Sequence, residues 1–163
     1  MSDAALPPCG LYRTTAPVGE LPAGRLVYFH NHGNPGAGVY VPERWDHNRA
    51  RFSPRGTTLP AGYDVSTLKP LPVEGFYRVA SSFVCCPKKC VTFAPDLFVQ
   101  LGYNGAGQAL LFQPELAGGA IQVPERGTPV DDDALTHLVA LAVRERKVEG
   151  TQLDPFPRGI VVH

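Results

Sequence analysis

Three of the four cysteines fall within one short stretch, SSFVCCPKKCVTF at residues 81–93, and the fourth is Cys9. Thiolates bind zinc, copper(I) and iron–sulfur clusters, so Cys85, Cys86 and Cys90 raise three alternatives: metal, disulfide or plain packing. Reading Pro87-Lys88-Lys89 as the loop of an antiparallel hairpin sets Cys86 opposite Cys90 and Phe83 opposite Phe93. Side chains alternate across a strand. Phe83, Cys85, Val91 and Phe93 then share one face of core character, and Val84, Cys86, Cys90 and Thr92 share the other. The expected division is Cys85 as a small buried hydrophobe and Cys86 with Cys90 as a thiol pair. The loop offers no Gly or Asn for a left-handed position, and an irregular turn would return Cys85 to the set.

Two thiolates do not complete a tetrahedral zinc site. The remaining ligands would come from Cys9, or from His30 and His32, which stand two apart on an expected strand and so share a face. The spacing matches neither a zinc ribbon, a thioredoxin-type C-x-x-C nor the known iron–sulfur runs. Packing by reduced thiols therefore ranks first, metal second and disulfide third, with zinc the expected cofactor if any is bound. Gly24, five residues and then His30-x-His32 resembles the opening half of the cupin metal-binding motif. A cupin has a Glu shortly after the second His, where this chain has Asn34, Pro35, Gly36 and Ala37. The second cupin motif is echoed only by GGAIQVPERGTP, with Val130 near the expected His. The resemblance implies a metal on His30 and His32 and does not assign the family.

A second candidate surface is PERWDHNRARFSPRG, in which Arg44, Arg49 and Arg51 lie among Trp45 and Phe52. Basic residues interleaved with aromatics bind phosphates or single strands, and Trp and Arg also anchor protein interfaces. Fifteen basic residues balance fifteen acidic ones across the chain. That neutrality removes any global attraction to nucleic acid or an anionic membrane and leaves a protein partner as the expected use of the patch. There is no G-x-S-x-G elbow, no phosphate-binding loop and no G-x-G-x-x-G. The reading therefore leans away from an enzyme. It favours a non-enzymatic protein-binding or assembly subunit, with a small zinc protein or metalloenzyme, and then an inhibitor or immunity-type protein, as alternatives.

The elements that must position these residues are mostly strands. The chain of 163 residues is 44% hydrophobic, with 17 Gly and 17 Pro, which suits one turn-rich β domain. RLVYFHNHGNPGAGVYVPERW reads as two strands around a loop at His32 to Gly38, and residues 53–74 read as a Pro-rich surface connection. LFVQLGYNGAGQALLF reads as a hairpin with Asn104-Gly105 supplying the positive φ. GGAIQVPERG adds a further strand, and GIVVH at the tail a last one. One helix is expected at 129–147, capped by Thr128, started by Pro129 and Asp131 to Asp133, and striped by Val130, Ala134, Leu135, Leu138, Leu141 and Ala142. The expected fold is an antiparallel β barrel or sandwich carrying that one C-terminal amphipathic helix. The chain's start lacks a charged segment followed by an apolar core, and its longest apolar run is far short of the ~20 residues of a membrane span. Both point to a cytoplasmic protein.

Overall fold

The computed structural model describes residues 5–146. The first half of the chain supplies β1 (Gly10–Thr14), β2 (Leu26–His30), β3 (Gly38–Tyr40), β4 (Pro42–Asp46), β5 (Arg49–Phe52), β6 (Thr57–Thr58) and β7 (Leu68–Pro70). Five of these form an antiparallel sheet in the order β6-β3-β2-β1-β7, while β4 and β5 pair as a separate hairpin. The second half supplies β8 (Gly75–Val79), β9 (Phe83–Val84), β10 (Thr92–Phe93), β11 (Phe98–Tyr103), β12 (Ala109–Phe112), β13 (Glu115–Ala117), β14 (Ala120–Gln122), β15 (Thr128–Val130) and β16 (Leu138–Ala140). Its main sheet runs β15-β12-β11-β8-β16, with β9–β10 and β13–β14 as two-stranded ribbons.

Both sheets feed one core. Leu11, Leu26 and Tyr28 of the first meet Val79, Val99, Leu101, Tyr103 and Leu111 of the second. The first sheet is also covered on its far face, where Tyr12, Val27, Phe29 and Val39 gather with Val18 and Leu68. That double cover explains why Leu26 to Phe29 is buried without a break instead of alternating. The structure is thus mainly β and antiparallel, and among the described residues no sheet closes into a barrel.

The expected helix at 129–147 does not form. Thr128 to Val130 is an edge strand against β12, a six-residue 3-10 helix spans Asp132–His137, and Leu138 to Ala140 pairs with β8. Pro129 lacks an N–H and suits an edge strand as well as a helix start. Val130 is buried beside Ala109, and β16 completes the other edge of the sheet. Pairing at both sheet edges outweighs the helical period, which left to itself would be only marginally stable. The stripe divides accordingly: Ala134 is buried, Leu135 and Leu138 are half-buried, and Leu141 and Ala142 are exposed. Lys147 and the expected strand at 159–163 lie outside the described residues.

Two other expectations change. Residues 53–74 are more than a surface connection, since β6 and β7 form the two edges of the first sheet. Glu74, at the segment's end, is buried and accepts the Ala50 amide at 2.9 Å. The β11–β12 turn takes its left-handed residue at Gly107 (φ 75°), not at Asn104-Gly105. The Asn104 side chain instead accepts the amides of Ala106 and Gln108, both at 3.0 Å, closing the loop from within.

Candidate metal centres

The β9–β10 ribbon has the register read from the sequence, Phe83 against Phe93 and Val84 against Thr92. The two phenyl rings stack at 4.9 Å, and Phe93 is fully buried, which fixes the ribbon to the core. Pairing continues one step further through the Cys85 amide to the Val91 carbonyl at 3.0 Å. Beyond it the chain turns sharply: Lys89 takes the left-handed conformation (φ 54°) and its amide reaches the Cys86 carbonyl at 2.9 Å.

That turn ends the alternation of faces and corrects the expected separation of Cys85 from Cys86. Cys85 is buried as expected, yet its Sγ lies 3.4 Å from that of Cys86, and all three sulfurs lie within 4.8 Å of one another. The Val91 amide donates to Cys85 Sγ at 3.3 Å. A hydrogen bond from Cys85, seconded by the Lys88 amide, holds the Cys86 thiol below its ordinary pKa, whereas the Cys86 sulfur pushes Cys90 up. Binding a cation to the three sulfurs releases thiol protons. Sulfurs about 3.8 Å apart, and sulfur and nitrogen about 3.6 Å apart, are what tetrahedral zinc bonds require. The Cys85–Cys86 separation is close to that spacing.

Cys9, His30 and His32 form a different group. The β1–β2 register sets Gly10 against Phe29, so the next step along brings Cys9 beside His30. Cys9 Sγ stands 3.5 Å from His30 Nδ1 and 3.9 Å from His32 Nδ1, and the two imidazoles are 4.1 Å apart between ring centres. Asn31 sits among them: its amide N–H donates to Cys9 Sγ at 3.3 Å, and its side-chain oxygen accepts from Cys9 at 3.2 Å and lies 2.7 Å from His32 Nδ1. Cys9 and His30 are half-buried and His32 is exposed. Burial first, and then His32, lower the pKa of His30, which favours the neutral imidazole that binds metal. The five ligands proposed from the sequence therefore fall into two groups of three once Cys85 is added.

The arginine-rich stretch forms the β4–β5 hairpin, turned through His47 and Asn48, both left-handed. The Asn48 carbonyl packs where a Cβ on Gly102 would come within 2.6 Å, so this hairpin rests directly on β11. Arg44 and Trp45 are exposed, while Arg49 and Arg51 are half-buried. Phe52 is in the core against Tyr28, since Ala50 and Phe52 are the inward positions of β5. It is not part of a binding surface. Arg44 pairs with Glu43 at 3.4 Å and Arg51 with Asp46 at 3.5 Å, offsetting the basic character of the loop. Trp45 donates to the Tyr103 carbonyl at 2.8 Å and borders a groove of about 730 Å³ with Asn48, Phe76, Gln100 and Glu125.

Sequence reasoning missed two features. Alternation across the hairpin reads Cys85 as a packing residue, and only the irregular turn brings it back into the set. Ser81 Oγ lies 2.7 Å from His137 Nδ1, with the imidazole stacked on Phe83 at 5.3 Å. Fifty-six residues separate the two, and no local pattern signals the pair. No carboxylate bonded to that imidazole is seen among the described residues. No family model, curated protein or solved structure matches the chain. No helix among the described residues is long and apolar enough to cross a membrane.

Proposed function

We propose that this is a small zinc-binding protein whose cation sits on the sulfurs of Cys85, Cys86 and Cys90. The observation that carries this reading is the convergence of three sulfurs to within 4.8 Å at the end of a ribbon whose base is locked into the core. Thiolates select zinc among the common divalent ions, and three of them leave a fourth position for water or a donor from outside the ribbon. The strands on either side of the turn are only two residues long. A cation would tie the turn together where backbone pairing has run out. Zinc content and melting temperature, compared between wild type and a Cys86→Ser, Cys90→Ser variant, test the reading. The variant should lose one equivalent of zinc and the stabilisation that goes with it. Equal zinc in both, or none in wild type, returns the cysteines to packing.

The assembly-subunit reading draws on another observation. Leu116 and Ile121 face each other across the β13–β14 ribbon and are 76% and 62% exposed. A paired apolar tip of this kind suits a protein contact, and a second copy of the chain is the simplest partner. Light scattering on wild type and on a Leu116→Ser, Ile121→Ser variant tests it. A concentration-dependent mass lost in the variant supports assembly through the ribbon, and a single-chain mass throughout rejects it.

A further inference from the structure

We infer that Cys9, His30 and His32 form a second, independent metal site of a different kind, open and exchangeable, which takes a divalent late transition ion such as zinc. The inference extends the zinc reading above but stands on its own residues. One sulfur and two nitrogens converge, and the two sulfur–nitrogen distances, 3.5 and 3.9 Å, bracket the roughly 3.6 Å that a tetrahedral zinc centre needs. A Cys-His-His set supplies three ligands, the number that catalytic zinc sites use while keeping one position for water or substrate.

The surroundings say what occupies that position. The Asn31 side-chain oxygen accepts from the Cys9 thiol and lies at hydrogen-bonding distance from His32, so one amide touches two of the three ligands. A cation displaces the thiol proton, and the amide oxygen is then left beside the metal as a weak oxygen donor. Such a donor yields readily to water or to a small anion. Exposure of His32 keeps the approach open. The trithiolate turn, by contrast, draws all its donors from one loop and includes a buried sulfur.

Cobalt(II) is the probe, because its visible spectrum reports coordination number and its near-ultraviolet band reports thiolate ligation. Wild type should bind two equivalents. The Cys86→Ser, Cys90→Ser variant should keep one, with a thiolate band that disappears when Cys9→Ser is added, and with a visible spectrum that shifts when azide is titrated in. One equivalent in wild type and none in that variant overturns the second site and leaves the trithiolate reading intact. One equivalent in both, lost on adding Cys9→Ser, supports the second site and rejects the first. No binding to wild type rejects both. His32→Ala, at an exposed position, makes the same point in an otherwise intact chain and should lower the stoichiometry from two to one. Two equivalents retained there, or a spectrum indifferent to azide, overturns the open site.

Discussion

The turn at Cys85–Cys90 and the corner at Cys9, His30 and His32 each converge three ligand atoms, but by different routes. The turn is local: six residues and one left-handed lysine bring three sulfurs together. The corner joins residues 21 apart in sequence, and only the β1–β2 register brings them into contact. A local group depends on the shape of its loop and on what anchors the loop. A group built across strands depends on the whole sheet, because a slip of one residue would carry Cys9 to the opposite face from His30. The two should therefore respond differently to the same insults.

The largest separation should come from Phe93→Ala. Phe93 is fully buried and stacks on Phe83 beneath the cysteine turn. Removing it should cost about 3–5 kcal/mol in urea unfolding. Zinc should be lost from the turn, while cobalt binding at the Cys9 corner persists in whatever fraction remains folded. A loss below about 1 kcal/mol would show that the turn does not rest on the core, and parallel loss of both sites would erase the distinction.

Chelation comes next. A ligand that binds only the folded state at a hundred times its dissociation constant adds about 2.7 kcal/mol of stability. Removing zinc from wild type should lower the melting temperature by a corresponding amount, and removing it from the Cys86→Ser, Cys90→Ser variant by clearly less. An equal drop in the two proteins would assign all the stabilisation to the corner.

The same contrast governs how much could be read from the sequence. The ribbon register at Phe83–Phe93 was legible because alternation over a few residues fixes it, and so were the β2–β3 pair and the burial of Cys85. Local logic failed in two places. At the turn, backbone pairing ends at Cys85, and Cys86 lies beyond it, where alternation no longer assigns faces. Between 128 and 140, Pro129, the acidic run and the leucine spacing all suit a helix, but both ends of the segment are claimed by strands 17 to 63 residues away. A free strand edge is a tertiary fact and leaves no mark on the segment that will pair with it. The placement of Cys9 beside His30 was invisible for the same reason. The sequence offers both residues as ligands, but only as completions of the cysteine turn.

Leu138→Ala probes that overridden segment. A buried leucine in a helix core would cost 2–5 kcal/mol, but here Leu138 is half-buried on an edge strand opposite Val79. A loss of about 1–2 kcal/mol in urea unfolding is the expected outcome. The full helix-core penalty would mean that Leu138 packs more deeply than the edge strand allows.

The smallest effect concerns what joins the two halves. Asp132, at the start of the 3-10 helix, receives Arg13 from β1 and Lys69 from β7, the latter at 2.6 Å. Its carboxylate thus ties the C-terminal segment to the sheet that carries the Cys9 corner. Hydrogen bonding from Arg13 is the main cause, with Lys69 assisting against partial burial, that holds its pKa down to about 2 from an ordinary 3.8. The folded value is the lower one, so the stabilisation is fully present above pH ~4 and is lost as pH falls towards ~2. The side chain is a third exposed, and solvent screening limits the contribution to about 1 kcal/mol at most. Asp132→Asn should therefore destabilise the protein by up to that amount at pH 7, less in high salt, with the difference from wild type closing as pH approaches 2. Cobalt binding at both sites should be unchanged at neutral pH, since Asp132 belongs to neither group. A penalty that stays constant from pH 7 to pH 2 would show that shape, not charge, is what Asp132 contributes. Loss of the Cys9 site in this variant would show that the corner depends on contacts beyond its own sheet.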